Sequence, residues 1–270
     1  MTRNVDNTWT YDALQRGDTA AIRAKLRQDK TYVHERDFVG RTPLLNAICC
    51  DELELVHLLL EHGADPNVAV DDGYTCLLTA LDSLSAETDR STPIVAALIG
   101  AGADIHAIGM NGWTPLHMAA ARGNAAACRL LIDAGADVNR RTDIDSLDTP
   151  LMVAASLGRP ETVRLLLEHG ADPSLRDALH NKTPLELAEA ATRGPDPSVV
   201  DYLTREGKAL LKKTVDTSLD GLDVPADELA AWKELMRNVD PAQGYIDSCT
   251  SLAKKGNHAE VIRILTEQGC

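Results

Sequence analysis

The stretch Asn111 to Asn139, NGWTPLHMAAARGNAAACRLLIDAGADVN, constrains the fold more than any other feature, because it recurs. It reads as a turn, a first helix opened by Thr114-Pro115-Leu116-His117, a reversal at Arg122-Gly123-Asn124, and a second helix through Cys128-Arg129-Leu130-Leu131 that Gly135-Ala136-Asp137 ends. Thr114 suits a helix cap, Pro115 a first helical turn, and Gly135 the positive φ common just past a helix. The opening returns at Thr42-Pro43-Leu44-Leu45, Thr75-Cys76-Leu77-Leu78, Thr149-Pro150-Leu151-Met152 and Thr183-Pro184-Leu185-Glu186, so the five threonines stand 33, 39, 35 and 34 residues apart. The ending returns at His62-Gly63-Ala64-Asp65, Ala101-Gly102-Ala103-Asp104 and His169-Gly170-Ala171-Asp172. Two signals at a fixed offset within a period near 33 describe short units that bury their apolar faces only by stacking on one another.

These openings and endings resemble the ankyrin repeat, strongly over residues 9–207 and weakly beyond. The resemblance implies an all-α solenoid of stacked helix-turn-helix units, about seven to eight with divergent caps. It also implies an L-shaped cross-section, with turn tips on one side and first helices lining a concave surface. Proteins of this kind generally grip other proteins with those tips and that helix face. The chain divides into an N-terminal capping unit 1–37, units at 38–70, 71–109, 110–145, 146–180 and 181–207, and a degenerate C-terminal part 208–270.

The units are not identical. In 71–109 the distance from Thr75 to Gly102 is 27, against 21 from Thr114 to Gly135, so six extra residues lie between its helices around Ser85 to Arg90. They either lengthen the first helix or form a polar loop. The tip Asp143-Ile144-Asp145-Ser146-Leu147-Asp148 is two residues longer than usual and lacks its glycine, which predicts a less regular turn. In 181–207 the reversal Arg193 to Pro197 is stretched, and Val199-Val200 with Leu203 continues a second helix. Further on, 226–238 reads as an amphipathic helix with Leu229, Trp232, Leu235 and Met236 on one stripe. Tyr245 to Lys255 and Ala259 to Leu265, with Gly256-Asn257 between them, restore the helix-pair pattern.

Composition bounds the function. With 27 Lys and Arg against 41 Asp and Glu the formal charge is −14, which argues against a nucleic-acid or anionic-membrane surface and is compatible with a basic partner. The N-terminus MTRNVDNTWTYDAL has no apolar signal-peptide core, and six cysteines show no Cys-x-x-Cys pair or zinc spacing. Free thiols without an export signal point to the cytoplasm, with Cys76 and Cys128 as buried packing residues. No cofactor or metal is expected.

Carried over position by position, the resemblance implies a partner-binding surface. Its members are Phe38, Val39 and Arg41, with Cys49 and Cys50; Asp71, Asp72 and Tyr74, with Asp82 and Ser83; Met110, Asn111 and Trp113, with Arg122; Asp145, Ser146 and Asp148, with Ser156 and Leu157; and His180 and Lys182. Phe38, Tyr74, Met110 and Trp113 stand out in a chain only 3% aromatic, and large rings at exposed positions are typical anchors. The competing expectation is that these rings fold over the neighbouring turn and pack, and that the aspartates are ordinary turn residues. His117 occupies the histidine of the repeat opening and is structural, and the carboxylates beside Cys49-Cys50 would raise rather than lower a thiol pKa. The chain is thus expected to be a non-catalytic scaffold for a basic partner protein, in its sharper form a toxin or effector that it neutralises. The alternatives are an enzyme or small-ligand protein with a pocket between the insertion near 84–91 and the groove, and a self-associating structural protein using Trp232.

Overall fold

The computed structural model describes residues 13–14, 16–37, 39–70, 73–82, 91–109, 112–143, 147–192 and 257–267. Among them lie eleven α-helices and no strand: α1 Thr19–Gln28, α2 Pro43–Cys49, α3 Leu53–Glu61, α4 Cys76–Asp82, α5 Ser91–Gly100, α6 Pro115–Arg122, α7 Ala125–Asp133, α8 Pro150–Ser156, α9 Pro160–Glu168, α10 Pro184–Thr192 and α11 His258–Glu267. A 3-10 turn spans Lys30–His34.

The first helices form where the sequence places them. Thr42 and Thr149 accept from the N–H of Leu45 and Met152, satisfying a donor that the helix itself leaves unpaired, and proline starts the helix at a position needing no N–H. Asp18 and Asn124 cap α1 and α7 in the same way. Within each unit the two helices pack as a pair, α2 with α3, α4 with α5, α6 with α7 and α8 with α9. First helix then stacks on first helix along the array, and second on second. Ala47, Ala119, Ala120, Ala154 and Ala155 are wholly buried, and their small side chains let neighbouring helices approach closely. Around them Leu, Ile and Val from every unit make one continuous core, joined by the fully buried thiols of Cys76 and Cys128, which burial pushes up to about 12.

Polar side chains fix the offset between units. Asn67 Nδ2 donates to the Gly102 carbonyl at 3.0 Å while its Oδ1 accepts from the Asp104 N–H at 2.7 Å. Asn139 repeats this with Gly170 and Asp172 at 3.1 and 2.8 Å. Arg36 donates to the carbonyls of Gly40 and Ala69, and Arg141 to those of Leu147 and Arg176, each tying its own tip to the next.

The inserted residues 83–90, expected either to lengthen α4 or to form a polar loop, lie outside the described residues. Helix α11 forms close to its expected span, but it packs against α10 and α9, as a second helix of the sixth unit would. Its Val261, Ile264 and Leu265 are buried, the Asn257 N–H donates to the Gly158 carbonyl at 2.9 Å, and Arg164 pairs with Glu260. The segments expected as helices at 199–203, 226–238 and 245–255 lie outside the described residues.

Candidate interaction surface

Five turn tips share one backbone design. In each, an N–H returns to the carbonyl of the residue just before the helix-opening threonine: Asp37 to Arg41, Val70 to Tyr74, Gly109 to Trp113, Thr142 to Asp148 and Asp177 to Lys182, at 2.9, 3.2, 2.9, 2.9 and 3.0 Å. Arg41, Tyr74, Trp113, Asp148 and Lys182 therefore occupy one register position in successive units and form a row along the edge. One residue earlier the chain turns through positive φ, at Gly40, Gly73, Gly112, Leu147 and Asn181.

The row is not uniformly open. Arg41 is exposed, whereas Tyr74 and Trp113 are half-buried and pack against the core, midway between free anchors and the folded-down rings of the competing expectation. Asp148 is half-buried, with its carbonyl and N–H both engaged, and Lys182 is half-buried. Phe38, Asp71, Asp72, Ser83, Met110, Asn111, Asp145 and Ser146 lie outside the described residues.

At the other end of the first helices, the structure gives several candidates structural partners. The Arg122 guanidinium lies 2.6 Å from the Asp82 carboxylate and 2.8 Å from its carbonyl, so both join one unit to the next. Arg159, which the sequence did not single out, reaches back in the same way from Nε to the Ala121 carbonyl at 3.0 Å. His258 Nε2 donates to the Ser156 carbonyl at 2.9 Å, so α11 begins where Ser156 and half-buried Leu157 were expected to face a partner. His180 is exposed and stands 3.5 Å from the buried Asp177 carboxylate. Cys49 is exposed and Cys50 half-buried. Desolvation raises both thiols above their ordinary value, with Asp51 adding to it and Arg41 opposing, which is inactivating.

His117 is buried inside this framework. Its Nδ1 accepts from the Thr114 N–H at 3.3 Å and lies 2.8 Å from Thr114 Oγ1, and its Nε2–H donates to the Asp148 carbonyl at 3.0 Å. One acceptor and one donor nitrogen define a neutral ring, and burial pulls its pKa down to about 4. The ring links its helix opening to the next tip. His62 and His169 place Nδ1 at 2.8 Å from the carbonyls of Leu58 and Leu165, closing α3 and α9.

Sequence reasoning passed over Ile108, Leu147 and Leu179. With Val39 they are the exposed large apolar side chains among the described residues, and all four stand on the tips or the segment entering them. The available signal was an apolar residue inside a polar, glycine-containing turn. Among the described residues no group of three or more His, Cys, Asp or Glu could hold a metal ion, and no helix is long and apolar enough to cross a membrane. Of the insertion near 84–91, expected in the alternative reading to wall a pocket with the groove, residues 84–90 lie outside them, as does the Trp232 stripe.

Residues 10–107 and 83–177 match a family model described as Ankyrin repeats (3 copies). A putative ankyrin repeat protein of Rickettsia felis is 26% identical over 146 residues, 52% of this chain and 45% of that protein. The RelA-associated inhibitor of Mus musculus is 35% identical over 95 residues, 35% of this chain and 11% of that protein. The alignments thus span less than half the length of either relative. An ankyrin repeat domain from Acinetobacter baumannii AYE, solved by crystallography, is similar at a TM-score of 0.60 and 31% identity, covering 68% of this chain and 92% of that chain.

Proposed function

This chain belongs to the ankyrin-repeat family, and on that premise we propose that it is a non-catalytic recognition scaffold holding a partner protein along its turn tips and first-helix face. The observation that carries the reading is the row of tips, in which the neighbouring rings of Tyr74 and Trp113 are flanked by exposed Val39, Ile108, Leu147 and Leu179. Apolar side chains held on a rigid edge lose little freedom on binding, which favours recognition there. The proposed contact set is Phe38, Arg41, Asp71, Asp72, Tyr74, Met110, Asn111, Trp113, Asp145, Asp148 and Lys182, with Arg122 contributing by shaping the inner face. A formal charge of −14 favours a basic partner, gathered faster by the field, and a toxin or effector that the chain neutralises is the form of that partner to test first.

Affinity purification on the full chain identifies the partner. The double variant Tyr74→Ala, Trp113→Ala should then bind it at least about tenfold more weakly, as large ring anchors do. Unchanged affinity would remove this surface from the proposal.

A further inference from the structure

Two guanidiniums come together at the end of the first helices away from the tips, and one carboxylate serves them both. Arg122 ends α6 and sets Nη2 on Asp82, at 2.6 Å from its carboxylate and 2.8 Å from its carbonyl. Arg159 reaches the same place from the next unit. Its Nε donates to the Ala121 carbonyl at 3.0 Å, and its stem lies over Gly123, where a Cβ would stand 2.8 Å from Cδ. Arg159 is thus anchored to the residues on either side of Arg122, in space that only a glycine leaves open. Burial first, and the charge of Arg122 next, pull the Arg159 guanidinium below its ordinary pKa, so the fold holds the two cations together against their repulsion. Among the described residues no carboxylate pairs with Arg159. Its two Nη atoms, and the Nε and Nη1 of Arg122, have no partner there. A chain with 41 Asp and Glu against 27 Lys and Arg has carboxylates in excess, and it spends none on Arg159.

We infer that Arg122 and Arg159 form a carboxylate-binding site, which takes an aspartate or glutamate side chain of the bound partner. The inference rests on the scaffold reading above and adds a second contact on the inner face of the same surface. The free atoms of both guanidiniums are donors, and the edge of a guanidinium matches a carboxylate with two parallel hydrogen bonds. Charge narrows the choice further. Asp82 offsets one of the two cations and leaves a single positive charge, which a carboxylate neutralises and a phosphate dianion exceeds. Glu161, two residues past Arg159, is taken by Arg164 at 2.6 Å and does not compete. Trp113 stands just ahead of α6 and Arg122 closes it, eight helical residues on, a separation of about 12 Å. A partner seated on Trp113 therefore meets the site with a carboxylate about one such length away. The acidic chain gathers basic partners at long range, and this site selects among them the one with an acid correctly placed.

The test uses the full chain, ¹⁵N-labelled, at constant ionic strength, with N-acetylaspartate methylamide as probe and N-acetylasparagine methylamide and methyl phosphate as controls. The Arg159 Nε–H and Gly123 amide resonances should move saturably with the aspartate compound, and roughly tenfold less at equal concentration with the asparagine one. Arg159→Gln keeps a donor for the Ala121 carbonyl but loses the charge, and should abolish the Gly123 response. Asp82→Asn keeps an acceptor for Arg122 and should tighten the site several-fold, because one repelling charge is gone; a purely structural arginine pair predicts no such gain. Silent resonances, an equal response to the asparagine compound, a stronger one to methyl phosphate, or an Asp82→Asn chain that binds no tighter each overturns the site. A response multiplied by Glu87→Gln with Asp89→Asn assigns it to the chain's own carboxylates and overturns the partner assignment. No partner is present in these titrations, so their failure leaves the scaffold reading standing, and failure of the Tyr74 and Trp113 test leaves them interpretable.

Discussion

Leu147 turns through φ 52°, in the tip position that Gly40, Gly73 and Gly112 fill in the preceding units. A Cβ in that conformation crowds the following carbonyl, a cost on the order of 1 kcal/mol that glycine avoids. Leu147→Gly should therefore stabilise the chain by about that amount, read as a rise in the urea midpoint at constant slope. If the exposed leucine is retained for contact, the same variant binds the partner less well. His117 makes a second residue-scale prediction. Its folded pKa is about 4 and its unfolded value near 6.5, so the unfolded chain takes up the proton first. The stability that the neutral ring contributes is complete above the unfolded value and is lost as pH falls toward 4, on the order of 3 kcal/mol by then. Denaturation across pH 7 to 4 should show that slope, and His117→Gln should flatten it.

At the scale of elements, the C-terminal helix α11 carries the most weight. It buries Val261, Ile264 and Leu265 against α10 and α9 and is held by the Asn257–Gly158 and His258–Ser156 hydrogen bonds. Its partner in the pair, α10, ends at Thr192, far back in the chain. Leu265→Ala should cost about 2–5 kcal/mol as a buried truncation, and hydrogen exchange should quicken in α9 and α10 while α2 and α3 stay protected. Uniform acceleration along the whole chain would contradict the nearest-neighbour character of the stack.

For the whole molecule, that nearest-neighbour character makes stability a sum of units and junctions. Ala119 lies wholly buried in the middle of α6, where the fourth unit meets its neighbours. Ala119→Leu overfills the junction at a cost of about 1–3 kcal/mol, and denaturant unfolding should then separate into two transitions, one for each side of the fault. Much of this architecture was legible in the sequence. The threonine openings, the glycine endings and the apolar spacing between them act within one unit, over a few turns of helix, so the helix pairs of the second to fifth units could be placed before any contact was known. His117 was legible for the same reason: it sits one turn from the threonine it bonds.

The sequence alone determined that these units stack, which face of each helix is buried, and where the tips fall, because those follow from local caps and helical periodicity. Tertiary structure alone decided that Tyr74 and Trp113 are half-buried, that Arg122 is taken up by Asp82, and that α11 fills the slot beside α10. Each is a fact about side chains of different units brought together, which no spacing within one unit encodes.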